Sequence, residues 1–205
     1  MPTVHLVRHG HVHNPEKVLY GRIPGFTLSD AGREMAQAVA DYFVAEATPV
    51  ARVIASPLQR AQETAAPIAS AFDLPIDTDE RIIEAGNVYE GSPLQQGPKD
   101  FIHPRNWWLL RNPWKPSWGE PYKEQAARMW DALRDAAAAT PDADTVMVSH
   151  QLPIWVARTQ VTKGSYIHDP RKRQCALGSV TSFTFRDGEP VSMTYATPAA
   201  HVAVP

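Results

Sequence analysis

The chain reads as an α/β protein with a mostly parallel sheet covered on both faces. Three short apolar runs, Val4 to Val7, Val50 to Ala55 and Val146 to Val148, have the length and composition of buried strands. Stretches with helical spacing of small and apolar residues separate them. This alternation predicts a three-layer α/β/α sandwich.

Each element has its own signals. Ser29 to Ala45 reads as a helix capped by Ser29, with Asp30 and Glu34 near its positive end. Ser56-Pro57 after the second run reads as a second helix start, Ser56 as cap and Pro57 in the first turn, which puts Arg60 in the opening turns. Pro121 to Ala139 is a third helix, opened by Gly119-Glu120-Pro121 and stopped by Thr140-Pro141. Residues 176 to 196 read as two late strands joined by a turn at Arg186-Asp187-Gly188-Glu189. Between Gly91 and Tyr122 there are prolines, four tryptophans (Trp107, Trp108, Trp114, Trp118) and no sustained period. This insertion, about 92–122, reads as a cap over a site. Lys99, Arg105, Arg111, Lys115 and Lys123 outnumber Asp100 and Glu120 there, which suits an anionic substrate with an apolar portion.

The bulk numbers narrow the classes. At 205 residues and 43% hydrophobic content, one domain spanning 1–205 is expected. A formal net charge of -2 gives no support for nucleic-acid or membrane-surface binding, so a small substrate is expected. A single cysteine, Cys175, excludes an intrachain disulfide. No leader and no long apolar run are read, so a cytoplasmic protein is expected. A homodimer is compatible with the sequence.

The residues with the most chemistry follow the first strand. In Arg8-His9-Gly10-His11-Val12-His13-Asn14, an arginine, a histidine and a glycine stand where backbone and side chains converge on an anion. Glu84 follows Arg81-Ile82-Ile83 and His150 ends the run Thr145 to Ser149; strand ends are expected to hold both. In isolation the alternation of His5, His9, His11 and His13 also fits metal ligands on one strand face, a zinc-dependent hydrolase. That reading leaves Arg60 and His150 unexplained.

The R-H-G triplet, Leu28-Ser29-x-x-Gly32, Ser-Pro-Leu-x-Arg-Ala-x-x-Thr-Ala from Ser56, Glu84, Tyr89-Glu90-Gly91, Gly119-Glu120-Pro121 and Val148-Ser149-His150 occur in one order. Together they resemble the histidine phosphatase superfamily, the phosphoglycerate mutase-like family, over nearly the whole chain. The resemblance implies that fold with a small cap insertion. It also implies hydrolysis of a small phosphomonoester through a phosphohistidine on His9, with His150 beside it and Glu84 as proton donor. Arg8, Arg60, Asn14 and Gln151 would bind the phosphate, and no metal or other cofactor would be needed.

The chain departs from the family pattern at His11 and Val12 and at Asn14, which falls one residue early. It also lacks one residue between Glu84 and Gly91 and has Gln151 in place of a glycine. A cofactor-dependent phosphoglycerate mutase is the first alternative, disfavoured by the short middle segment. A non-catalytic binding protein on the same fold is the other.

Overall fold

The computed structural model describes residues 1–87, 90–91, 119–166 and 173–204. Most of the expected cap therefore lies outside the described residues, as do its four tryptophans, Arg111 and Tyr89.

Six strands form one sheet: β1 (Thr3–Arg8), β2 (Val50–Ala55), β3 (Ile76–Thr78), β4 (Asp144–Ser149), β5 (Val180–Arg186) and β6 (Glu189–Ala196). Their order is β3-β2-β4-β1-β5-β6, with β3, β2, β4 and β1 parallel and β5 and β6 antiparallel. The late hairpin is as expected. Asp187 (φ 52°) and Gly188 (φ 79°) both lie in the left-handed region, as a two-residue turn between twisted strands requires.

Four helices flank the sheet: α1 (Asp30–Ala45), α2 (Gln59–Ala71), α3 (Tyr122–Ala139) and α4 (Gln151–Thr162). Strand alternation assigns the two faces. Val7, Val53, Ala55, Val146 and Val148 pack with Val39, Phe43, Ala65 and Ile68 of α1 and α2. Val4, Leu6, Ile54 and Met147 pack with Met129, Trp130, Leu133 and Ile154 of α3 and α4. The result is the three-layer sandwich, with a mixed sheet.

Local signals held where they rested on backbone chemistry. Ser29 caps α1, its hydroxyl accepting from the Gly32 amide at 3.1 Å. Ser56 does not cap α2. That helix begins after Leu58 without a side-chain cap; the buried Ser56 hydroxyl meets the His150 Nε2 at 2.7 Å and accepts from the Leu58 amide at 3.4 Å, ahead of the first turn. Glu84 does not end a strand either: Glu80–Ile82 form a 3-10 turn after the short β3, and Glu84 follows two residues later. Three residues are too few for periodicity to reveal β3.

The R-H-G glycine and Gly32 have one explanation between them. A Cβ on Gly10 would lie 2.4 Å from the Gly32 carbonyl oxygen, and a Cβ on Gly32 would lie 2.0 Å from that of His11. The start of α1 thus closes directly onto the loop after β1, and the Ser29 amide donates to the His11 carbonyl at 2.9 Å. Backbone on both sides leaves no flexible group to give way. Gly32→Ala should therefore destabilise the fold by about 2 kcal/mol or more, the scale of a forced overpacking. Thermal melts of the variant against wild type check this; an unchanged midpoint would mean the loop yields freely.

Candidate active site

Three adjacent parallel strands, β2, β4 and β1, deliver the chemistry at their carboxyl ends. The His9 amide donates to the Ser149 carbonyl at 3.1 Å and the Ser56 amide to the Val148 carbonyl at 2.9 Å, so the three chain exits are tied together. His150 occupies the N-cap of α4 and offers no side-chain cap. The positive end of that helix therefore opens beside it, a ready place for an anion.

His9 is 2% exposed. Its Nδ1 lies 2.8 Å from the Gly10 carbonyl oxygen, which can only accept, so Nδ1 carries the proton and Nε2 keeps its lone pair. Burial, then the charges of Arg60 and Arg8, hold its pKa well below the ordinary histidine value. The His150 ring stands 5.2 Å away between centroids. Its Nε2 meets the Ser56 hydroxyl at 2.7 Å, while its Nδ1 is buried without a partner. Burial, then His9 and the two arginines, also depress its pKa well below the usual value.

Arg60 is 1% exposed and, like Arg8, forms no ion pair among the described residues. Arg60 donates to the Gly21 carbonyl at 2.7 Å and lies over the Tyr20 ring at 4.8 Å. Arg8 donates to the Cys175 carbonyl at 2.6 Å. The Nε of each is buried and unpartnered. Burying guanidinium groups without carboxylates is costly, and the protein bears that cost where an anion can repay it.

The Glu63 carboxylate accepts from the Leu28 amide at 2.7 Å and from Gln59 at 3.0 Å. Thr64 accepts from the Gly10 amide at 3.1 Å and donates to the Arg60 carbonyl at 2.7 Å, binding the loop to α2.

Glu84 is held by its neighbours' backbone. The Ser149 hydroxyl donates to the Ile82 carbonyl at 2.7 Å, Arg22 donates to the Glu84 carbonyl at 2.6 Å, and the Ala85 amide donates to the Glu84 carboxylate at 2.9 Å. Burial raises its pKa above the ordinary carboxyl value, against the opposing hydrogen bond and the charges of Arg60 and Arg8. A carboxyl that resists ionising beside an anion site can supply a proton.

Asn14 and Gln151 are the remaining expected phosphate ligands. Both ends of the Asn14 amide are used by Val18, donating to its carbonyl at 2.8 Å and accepting from its amide at 3.1 Å. Gln151 is the first residue of α4, half-buried and without a hydrogen bond among the described residues. Glu90 accepts from the Asn87 amide at 3.2 Å and lies against Gly21.

The zinc reading finds no support. His5 is bonded to Ser182 and Asp144, His9 to Gly10 and His11 to Ser29, and no group of three or more His, Cys, Asp or Glu among the described residues could hold a metal ion. Sequence reasoning missed Tyr20, Gly21 and Arg22, which cradle Arg60 and Glu84. Nothing in their local pattern marks them, because their partners lie 39 and 62 residues away.

A buried histidine with a free Nε2 thus stands near two arginines that form no ion pair among the described residues, a second histidine and a carboxyl with a raised pKa. The chain belongs to the histidine phosphatase superfamily, branch 1, whose model matches residues 4–197. An uncharacterized protein of Mycobacterium tuberculosis is 52% identical over 197 residues, 96% of each chain. Among solved structures, a phosphoserine phosphatase mutant from Entamoeba histolytica bound to phosphoserine is similar at TM-score 0.75 and 22% identity, covering 99% of this chain and 100% of that one. A mycobacterial glucosyl-3-phosphoglycerate phosphatase follows at TM-score 0.73 and 24% identity, covering 95% and 97%. Among the described residues no helix is long and apolar enough to cross a membrane.

The depressed histidines have a consequence for stability. His9 and His150 stay neutral in the fold but take up protons in the unfolded chain near pH 6.5. Below that pH the unfolded state binds more protons, so stability falls with pH until the lower folded values are reached. Wild type should lose thermal stability between about pH 6.5 and 5, and His9→Gln, which removes one such group, should lose less. Melting curves at matched ionic strength measure both slopes, and parallel slopes would overturn the assignment to His9.

Proposed function

We propose that the protein hydrolyses a small phosphomonoester through a phosphohistidine at His9, without a metal. The observation that carries this reading is the His9 to Gly10 hydrogen bond, which leaves Nε2 as a neutral nucleophile near Arg8 and Arg60, neither of which has a carboxylate partner among the described residues. The Nε2 lone pair attacks phosphorus, the bond from phosphorus to the ester oxygen breaks, and Glu84 gives its proton to the departing alkoxide. Water then attacks the phosphoramidate, returning the proton to Glu84 and releasing phosphate. Arg8, Arg60 and the His150 Nδ1 hold the equatorial oxygens as charge builds on them.

Ser56 orients His150 in this scheme. A hydroxyl donating to Nε2 fixes the tautomer with the proton on Nδ1, and that N–H then has a phosphoryl oxygen as its acceptor. The Asn14 amide, occupied by Val18, holds the loop from residue 14 to 18, and any contact it makes with phosphate would have to replace those bonds. Gln151 is free to reach an oxygen from the first turn of α4. Net hydrolysis, as opposed to a mutase reaction, requires only that water reach the phosphohistidine.

Rapid quench with phosphorus-labelled substrate should trap label on His9, stable to base and lost in acid, and His9→Ala should show neither label nor turnover. Label on another residue would overturn the nucleophile. Vanadate should compete with substrate, and extended chelation should leave the rate unchanged.

Glu84→Gln should slow an alkyl phosphate by about 10²- to 10⁴-fold, the range for general acid catalysis. Nitrophenyl phosphate, whose leaving group needs no proton, should lose much less. Because the Glu84 pKa is raised, the wild-type rate on the alkyl ester should fall as pH climbs through it, and the variant should lose that limb. Equal losses on both esters would assign Glu84 to positioning.

A further inference from the structure

The side chain of Arg8 has a single hydrogen bond among the described residues, to the Cys175 carbonyl, and its Nε is unpartnered. That carbonyl lies in the stretch from Arg173 to Ser179, which belongs to no strand or helix and leads into β5. The far end of the stretch is tied to the Arg8 backbone: the Gly178 amide donates to the Arg8 carbonyl at 3.1 Å, and the Arg8 amide donates to the Ser179 carbonyl at 3.0 Å. The position of its near end therefore decides where the Arg8 guanidinium points.

Arg158 of α4 holds that near end. It is 7% exposed and forms no ion pair among the described residues. Its guanidinium donates to the Thr181 hydroxyl of β5 at 2.9 Å and to the Gln174 side-chain oxygen, and it lies 4.7 Å from the centre of the Tyr195 ring. The Tyr195 hydroxyl in turn accepts from the Ala176 amide at 3.0 Å. Residues 174 and 176, on either side of Cys175, are thus fastened to one stack of Arg158 on Tyr195. An apolar side chain would pack here without the desolvation cost of a buried cation. Only a guanidinium offers a planar fork that reaches strand and loop together while its face meets an aromatic ring.

We propose that Arg158 is a positioning residue for Arg8: through Gln174 and Tyr195 it sets the Cys175 carbonyl, and that carbonyl directs the Arg8 guanidinium at the phosphoryl group. This rests on the phosphatase reading for what Arg8 contacts. The same helix carries His150 at its N-cap, so α4 places His150 directly and Arg8 through this chain of contacts.

Vanadate affinity, read by calorimetry, tests the assignment, because vanadate presents oxygens to Arg8 as the transferring phosphoryl group would. Arg158→Met keeps the side-chain length and removes the donors. It should weaken vanadate and lower kcat/KM for nitrophenyl phosphate by about five- to thirtyfold, part of what a well-aimed charge-assisted hydrogen bond contributes. Gln174 is exposed, so Gln174→Ala leaves the core intact; it should lose in the same direction, and Gln174→Glu, which keeps the acceptor, should regain most of the loss. A residue that only supports the fold would act alike whatever stands at position 8. In an Arg8→Met background the losses from Arg158→Met and Gln174→Ala should instead shrink to within about twofold. No vanadate binding by wild type, wild-type affinity in Gln174→Ala, or losses undiminished in the Arg8→Met background would each overturn the assignment. Failure of the phosphatase reading is seen separately, as no phosphate released by wild type, and the vanadate titrations then still decide the role of Arg158.

Discussion

The structure is organised around positive charge that the protein does not neutralise. Arg60 is almost wholly buried, Arg8 is partly so, and neither has a carboxylate partner among the described residues. An unpaired buried guanidinium is tolerated only where the surrounding fold is stable enough to hold it. The sheet supplies that stability: Val4, Leu6, Val7, Val53, Val146, Met147 and Val148 are fully buried, and the strands they form end together beneath the site. Backbone carbonyls of Gly21 and Cys175 take part of each guanidinium without cancelling its charge. The remaining electrostatic demand is for an oxyanion.

The same charge sets the protonation of everything around it. It helps burial keep His9 and His150 neutral. On Glu84 it opposes burial, and burial prevails, so the carboxyl keeps its proton more readily than an exposed one. When a phosphate dianion enters, the arginines are satisfied and their pull on Glu84 is offset by the new negative charge, which favours the protonated acid further. In the proposed reaction, substrate binding and preparation of Glu84 as proton donor would thus be coupled through one field.

The polar groups that hold His9, Glu84 and His150 in place are mostly hydroxyls and backbone amides drawn from distant segments. Thr64 fastens the loop after β1 to α2, Ser149 fastens the turn before Glu84 to β4, and Ser56 fastens the His150 ring. These three residues lie inside the ordered motifs, and their roles explain why those motifs extend beyond the reactive residues. The Gly10 and Gly32 contact does the same for the glycines, since two backbones meet there with no room for a Cβ.

Sequence alone determined the sheet's parallel core, three of the four flanking helices, the late hairpin, and the placing of His9 and His150 after strands and of Arg60 in the opening turns of a helix. Those features rest on short-range patterns: apolar runs, a capping serine, an Asp-Gly turn, and motifs of fixed spacing. Tertiary structure decided what local pattern could not encode. It turned Ser56 from a helix cap into the partner of His150, because a hydroxyl's choice between two acceptors or donors depends on what the fold brings near. It ended the approach to Glu84 in a 3-10 turn and used the Asn14 amide within its own loop. It also brought Tyr20 and Arg22 to residues 40 and more positions away, where hydrogen bonds and ring contacts are set by how the layers pack and leave no periodic trace in the chain.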